Sequence, residues 1–434
     1  MKRFAANTVW LILQYVFQYI LSAVIGIIAA RYMGPSNYGI LSYGATMIAM
    51  FTPFCTLGIE NALIPCMVDA PDRAGDLIGT ALVMRLVSTT LSIGAMLALT
   101  LLLKPGQTLI LIATALQALQ LLVQVLDVFR LWFQLKLLNK FTAIGSVIGN
   151  IVCSAWRIIL LIRGASVEWF ALTSAIQMFA NYLFVVPMFF GMAKLRLSVS
   201  AHAFRCLWDK GKQLILAGLT NVIATRIGAL ILSQMLGDAP LAFYTAAHNV
   251  AMMWVFVPQA LIDSATPMLM EVNRDHPEDF WKSYQLLEMS VLIICVLAGV
   301  GITALSPFII RVLYGEAYAG AADALRVLAW LGIFTSIGTG RNIWTMAKEK
   351  QKYVKYYCLV SAVVSIGSNI LLIRLWGYMG AAAAILIVNV VQALLAPMLF
   401  RETREFTRYY LDGIRRLPSA ARQLPGMLKR LKRR

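Results

Sequence analysis

The sequence predicts an all-α integral membrane protein of about twelve transmembrane helices, arranged as two six-helix pseudo-symmetric lobes with both termini cytoplasmic. Three observations carry this prediction: long uncharged apolar runs, a one-sided distribution of Lys and Arg, and an internal repeat.

The chain has 434 residues, of which 60% are hydrophobic and 13% charged. A soluble domain carries roughly 25% charged residues, so a globular core of ordinary composition is excluded. No charge occurs from Phe4 to Ala30. A bilayer core takes about 20 apolar residues per helix, at about 1.5 Å rise each. This first run is too long for a signal-peptide core and ends in Arg-Tyr-Met-Gly-Pro rather than at a small-residue cleavage site. It is therefore a retained first helix.

Hydropathy places helices near 7–31, 38–64, 77–103, 108–130, 141–162, 167–192, 213–236, 241–268, 285–311, 322–347, 353–374 and 378–400. With the N-terminus inside, the inner segments hold Arg130, Lys136 and Lys140, then Lys194, Arg196, Arg205, Lys210 and Lys212, then Lys348 to Lys355, then the tail. The outer turns hold Arg31, Lys104, Arg163, Arg311 and Arg374. About 28 of the 38 basic residues fall inside, which is the positive-inside pattern. The net charge of +18 is thus largely topology and needs no nucleic acid. The tail ends in MLKRLKRR, which suits anionic headgroups of the inner leaflet or stands as a solvated basic tail. The six cysteines and three histidines are scattered without metal or redox spacing, which predicts no metal site, no cofactor and no disulfide.

The repeat is read from order. Gly34 in RYMGPSNYG aligns with Gly237 in LGDAPLAFY at an offset of about 203. Asp76 then meets Asp279, and Pro53 and Pro65 nearly meet Pro258 and Pro267. ILLIR at Ile159–Arg163 recurs at Ile370–Arg374, with the offset grown by a longer outer turn. Six helices per repeat is even, so both halves start on the same side and are parallel repeats. The organisation is an N-terminal lobe over 1–192, a basic cytoplasmic linker over 193–212, a C-terminal lobe over 213–400 and a basic tail over 401–434.

Polar groups are costly in lipid, so their faces mark where lipid is absent. Gln14, Gln18, Ser22 and Gly26 lie at successive i+4 positions of the first helix. Asn221, Thr225, Ala229 and Ser233 form the matching stripe on the seventh, and Gln117, Gln120, Gln124 and Asp127 a third on the fourth. These stripes predict a hydrated cavity between the halves, against the plainer reading of small-polar helix packing. Arg226 lies about 13 residues, some 20 Å, into the seventh helix, too deep to reach an interface easily. Arg85 in the third helix is the next deepest, and its repeat equivalent is Glu288. Arg157 and Arg341 lie nearer helix ends, where snorkelling competes with a cavity role, and Arg31 marks the outer edge of the first helix. Glu60, Asp127 and Asp263 lie toward inner ends and either pair with these arginines or carry coupling protons. An arginine-lined cavity suits an anion, because guanidinium pairs with phosphate through two parallel hydrogen bonds.

Five stretches carry a family resemblance: ARYMGPSNYGILSY, the run Ile78–Leu86, DVFRLWFQ at Asp127–Gln134, RVLYGEAYAGAADALRVLAW at Arg311–Trp330 and LLIRLWGYMGAAAAI at Leu371–Ile385. Together they resemble the bacterial O-antigen and exopolysaccharide flippases, in the MOP superfamily that also holds MATE-type multidrug exporters and the lipid II flippase. The resemblance extends to about Phe400. It implies an inner-membrane transporter, not an enzyme, that passes an undecaprenyl-diphosphate-linked oligosaccharide between leaflets by alternating access. It also implies membrane lipids and other polysaccharide-assembly proteins as partners, and leaves the coupling ion open between H+ and Na+. One departure stands out. The family often carries an acidic residue soon after the arginine of the seventh helix, and here Gly228 lies in that region. The competing readings are a drug–cation antiporter of the same fold, which would want mid-helix carboxylates, and a polymerase or ligase acting on lipid-linked glycans, which would need a large outer loop.

Overall fold

A computed structural model describes residues 2–415, and side chains from Val24 to Gly413 apart from that at 213. Among the described residues the regular structure is helical. Eleven helical runs among the described residues are long and apolar enough to cross a membrane. Most of the first expected span lies ahead of the residues whose side chains are described; the run Val24–Asp69 covers its end and the second expected span.

Helix α1, Lys2–Thr56, leaves helical geometry at Gly34, where φ is 73°. A positive φ is cheap only for glycine, and Pro35 then starts the next helix without losing a needed N–H. The predicted stop at Gly34-Pro35 is therefore a sharp kink. After Leu57 and Gly58, both at positive φ, α2 (Ile59–Asp69) completes the second span. Then follow α3 (Ala74–Leu103), α4 (Thr108–Gln124), α5 (Asp127–Leu135), α6 (Asn139–Ile162), α7 (Val167–Ala171) and α8 (Thr173–Ala193). The second half holds α9 (Ala201–Leu236), α10 (Asp238–Asp275), α11 (Phe280–Tyr314), α12 (Ala321–Leu328), α13 (Leu331–Ala347), α14 (Val354–Trp376), α15 (Tyr378–Val390), α16 (Ala396–Met398) and α17 (Arg404–Arg415).

The repeat is visible in the backbone. Gly34 and Gly237 share positive φ at 73° and 88° across the predicted offset. Later turns match in the same way: Gly106 with Gly315, Leu137 with Glu349, and Gly164 with Gly377, at φ values of 55° to 85° that ordinary residues rarely adopt. The halves also differ. The second span is broken at Leu57-Gly58, whereas its counterpart α10 runs unbroken through Pro258 and Pro267.

The chain forms two compact units. The first comprises Met1–Val222, Leu236–Ala242 and Leu313–Ala317. Its core joins α2, α3, α5, α8 and the start of α9 through Ile59, Leu63, Ile78, Phe133, Phe189 and Leu207. Trp132 and Phe133 meet edge to face at 5.2 Å, as do Trp132 and Phe189, an arrangement that adds about 0.5–1.5 kcal/mol per pair beyond area burial. The linker lies against α3: Ser200 N–H donates to Thr80 Oγ1 at 3.0 Å. Cys66 of α2 and Cys206 of α9 are joined as a disulfide, with Cα atoms 6.7 Å apart. This corrects the expectation of six unpaired cysteines; a separation of 140 residues has no spacing signature to read.

The second unit comprises Ile223–Met235, Phe243–Val312 and Tyr318–Arg434. Its core includes Phe280, Tyr284, Met289, Trp344, Phe406 and Tyr410. The last two belong to α17, so the described part of the basic tail is an amphipathic helix docked on α11 and α13. Thr403 and Thr407 fasten it, donating to the carbonyls of Pro397 at 2.7 Å and Leu394 at 2.9 Å. MLKRLKRR lies outside the described residues.

Candidate functional site

In the first unit, kinked helices bring four charges together. Asp127 opens α5, where the fourth span breaks and restarts. Arg130 Nε and Nη2 donate to its two carboxylate oxygens at 2.6 and 2.9 Å, and the Tyr182 hydroxyl of α8 donates to Oδ1. Three donors on one buried carboxylate satisfy its charge as water would. Arg85 lies beside this group, 1% exposed, with Nη2 3.8 Å from Glu60 Oε1. The Glu60 side chain is 35% exposed and receives no closer cation. Arg85 keeps two buried N–H groups, Nε and Nη1, without partners. The cluster holds two carboxylates and two guanidiniums, so it can be neutral overall. Its unequal satisfaction separates the roles: Asp127 is fully engaged, while Glu60 is open to water and loosely held.

Of the predicted positions, Arg85, Glu60 and Asp127 meet here, and Arg85 is enclosed rather than presented at a surface. Arg130 and Tyr182 were missed as site residues. The i+3 spacing of Arg130 from Asp127 was legible as a helical ion pair; the Tyr182 contact, 55 residues away, was not. Arg157 is half-buried and faces α1, its Nη1 3.7 Å from the Cβ position of Gly26 in the predicted polar stripe. Arg31 is exposed just before the kink at Gly34 and lies against the turn at Gly315. Gln14 and Gln18 lie outside the residues whose side chains are described.

Thr225 and Arg226 of the second unit are exposed on α9, and Asn221, on the part of α9 that belongs to the first unit, is exposed as well. Arg226 is ten residues, or about 15 Å, from the C-terminal end of α9, about half the thickness of a 30 Å hydrocarbon layer. No carboxylate lies within ion-pairing distance of it among the described residues, and Tyr244 and His248 of α10 are its electrostatic neighbours. The absence of an acidic residue at Gly228 has a packing reason. A Cβ there would stand 2.4 Å from Asn369 Oδ1 of α14, and an acidic side chain would collide outright. Asp263 is exposed on α10, where Gln259 donates to it at 2.9 Å and Thr339 donates to Gln259 at 2.9 Å.

Arg341 differs from Arg226. It is 3% exposed, stacked over the Tyr357 ring at 4.8 Å, and its Nη1 donates to the Gln392 carbonyl. The reason lies in the twelfth span, which widens to a π-helical turn over Val391–Leu395. In that register residue 397 should bond to the carbonyl of residue 392, but Pro397 has no N–H. Arg341 supplies the missing donor. The structure therefore buries it as a clamp within the unit rather than on a cavity wall.

The connections that follow α3, α6 and α11, expected on the outer side, are short: Leu103 to Thr108, Ile162 to Val167, and Tyr314 to Ala321. The groups of His, Cys, Asp and Glu among the described residues include none able to hold a metal ion.

The family model described as polysaccharide biosynthesis protein matches residues 4–273, more than half of the chain. The chain belongs to this family. The fold agrees with the resemblance seen in its motifs. An inward-facing multidrug resistance MATE family transporter of the MOP superfamily superposes with a TM-score of 0.74 at 15% identity, over 93% of this chain and 96% of that one. The inward closed lipid II flippase MurJ superposes at 0.67 and 15%, over 94% and 91%. A MOP superfamily transporter from Pyrococcus furiosus does so at 0.54 and 14%, over 95% and 94%. A search of curated proteins returned no match. This polysaccharide biosynthesis family member is thus a multi-pass membrane protein with a MATE-like, MOP-type fold.

Proposed function

We propose that this protein is a flippase that carries an undecaprenyl-diphosphate-linked oligosaccharide from the cytoplasmic to the periplasmic leaflet of the bacterial inner membrane. The observation that carries this reading is Arg226: an exposed guanidinium at mid-span depth without a carboxylate partner among the described residues. A charge there costs at least about 2.5–3.5 kcal/mol against lipid, so its exposed face belongs to a hydrated cavity. A diphosphate offers the charge and the paired oxygens that a guanidinium binds best. Asn221, one helical turn and a half along α9, and Thr225 beside it add hydroxyl and amide groups suited to sugars.

The family description places the chain in polysaccharide biosynthesis, and a lipid II flippase shares its fold. The two parallel repeats supply the lobes whose rocking gives alternating access. The glycan and diphosphate would cross in the cavity while the polyprenyl chain stays in lipid, with no covalent bond broken. The enzyme reading is disfavoured by the short outer connections, which leave little room for catalytic groups. The drug–cation antiporter reading is disfavoured because the buried carboxylate of the first unit's charge cluster, Asp127, is consumed by Arg130 and Tyr182.

The test is complementation of a strain lacking its own flippase. Arg226→Ala should insert at normal levels and abolish surface polysaccharide, and Arg226→Lys should restore only part of it, because an ammonium cannot bond two oxygens in parallel. Full surface polysaccharide with Arg226→Ala would sink the proposal.

A further inference from the structure

The third span of the second repeat carries a buried acid that the reading above does not use. Glu288 lies eight residues, about 12 Å, into α11, at the position that Arg85 holds in the first repeat. It is 1% exposed, and its Oε1 has no hydrogen-bond partner. None of the ion pairs among the described residues includes it. The site is built around the carboxyl. A Cβ at Gly340 of α13 would stand 1.6 Å from Glu288 Oε1 and 2.9 Å from the Tyr284 hydroxyl, so only glycine leaves the carboxyl its place. The titratable groups facing it are Tyr284 and Cys295 on its own helix and Tyr410 on α17. Arg341 follows Gly340 directly but is turned away, onto Tyr357 and the Gln392 carbonyl.

An ionised carboxylate in such a place would pay several kcal/mol of desolvation with no cation to offset it. The neutral acid avoids that cost, and its O–H can donate where a carboxylate could only accept. Arg341 is the cation next to Gly340 in the chain, and a turn of its side chain toward Glu288 would change which form is favoured.

We propose that Glu288 is a proton-binding site of the second unit, neutral in this conformation and ionised in another in which Arg341 or water reaches it. This rests on the transporter reading and names H+ as the coupling ion through a residue of the second repeat. The proton released by the carboxyl passes to water, and the same group takes one up when the site closes again.

The test uses the full chain in lipid nanodiscs without substrate. Infrared spectra at neutral pH should contain a protonated-carboxyl C=O band that Glu288→Gln lacks and that Glu60→Gln retains. Glu288→Gln mimics the neutral acid and should keep the thermal midpoint of the parent. Raising the pH should change tryptophan emission from Trp344 and Trp281 in the parent, through ionisation of Glu288, and this component should vanish in Glu288→Gln. If the band survives Glu288→Gln, or if that variant unfolds far more easily than the parent, the residue is ionised and paired and the proposal is wrong. If the band is lost but the emission change is the same in both proteins, the carboxyl is an inert core acid and the proposal also fails. None of these readings depends on transport, so they stand apart from the Arg226 test.

Discussion

Arg130 grips both carboxylate oxygens of Asp127, at 2.6 and 2.9 Å, one turn along the same helix. The Tyr182 hydroxyl completes the set from α8. Breaking a buried pair by removing one partner is costlier than never making it, but the Arg130 side chain is 40% exposed, so water takes over part of its role. Arg130→Ala should therefore destabilise the first unit by about 1–2 kcal/mol. Asp127→Asn with Arg130→Ala should cost less than the sum of the two changes, because each removes the partner of the other. Thermal unfolding of the four proteins of this cycle in one detergent measures the coupling; additive effects would show that the grip contributes nothing.

Gly228 leaves no space beside Asn369, whose Nδ2 donates to the Ser365 carbonyl at 2.8 Å. Gly228→Ala should cost about 1–3 kcal/mol by overpacking. Adding Asn369→Ala should recover part of that loss. Gly94→Ala, at a position with open space around it, serves as the control and should be neutral or mildly stabilising. Equal effects at Gly228 and Gly94 would contradict the close approach of α9 and α14.

The Cys66–Cys206 link fastens the start of α9 to α2. In membranes denatured without reductant, a maleimide should leave Cys206 unlabelled, and prior reduction should expose it. Cys66→Ser should make Cys206 reactive without reduction. Labelling of Cys206 in the unreduced parent chain would show that the pair is open in the membrane.

Outside the spans, Lys350 Nζ donates to Glu402 at 2.8 Å, and Lys352 lies 3.8 Å from the same oxygen. The Lys350 bond, with a second from Tyr353, holds the Glu402 carboxyl below the usual carboxylate range. A depressed folded-state value means that the pair stabilises the fold above the unfolded carboxylate range and that this contribution disappears as pH falls through the folded value. Protection factors in α17, taken relative to the intrinsic exchange rate at each pH, should accordingly fall on acidification more in the parent than in Glu402→Gln. The two proteins exchanging alike at low pH is expected; alike at neutral pH would mean that the bond does not hold α17.

Arg341 substitutes for the N–H that Pro397 lacks. Arg341→Met keeps the stacking volume but strands the Gln392 carbonyl, and should cost about 1–3 kcal/mol for the unsatisfied group. Arg341→Met combined with Pro397→Ala, which restores a backbone N–H, should recover stability in a melt. No recovery would place the cost of Arg341→Met in its stacking on Tyr357 instead.

Much of the architecture was legible along the chain because membrane segments obey one-dimensional rules. Apolar length and lysine and arginine counts act residue by residue, and the repeat announces itself in order. The boundary between the first two spans was legible at Gly34-Pro35, whereas the break inside the second span at Leu57-Gly58 was not. The site was legible in part. Depth along a helix follows from residue number, so Arg226 and Arg85 stood out. What each one faces does not follow, because helix rotation and the direction of a neighbour are not written in spacing. Arg85 read as deep and Arg341 as nearer a helix end, yet both are enclosed: one sits 3.8 Å from Glu60 and the other caps a carbonyl freed by a proline 56 residues later.

The sequence by itself determined that this protein lives in a membrane, that its two halves repeat, and that its deep charges are mostly arginine. Hydrocarbon admits few alternatives to apolar helices, so composition alone suffices for those statements. Only the tertiary structure decided which charges are partnered. It joined Asp127 to Tyr182 across 55 residues, enclosed Glu288 against Gly340, and left Arg226 exposed without a carboxylate partner among the described residues. Partnering depends on contacts of a few ångströms between helices distant in the chain, and those are set by kinks, rotations and close backbone approach that no periodicity encodes.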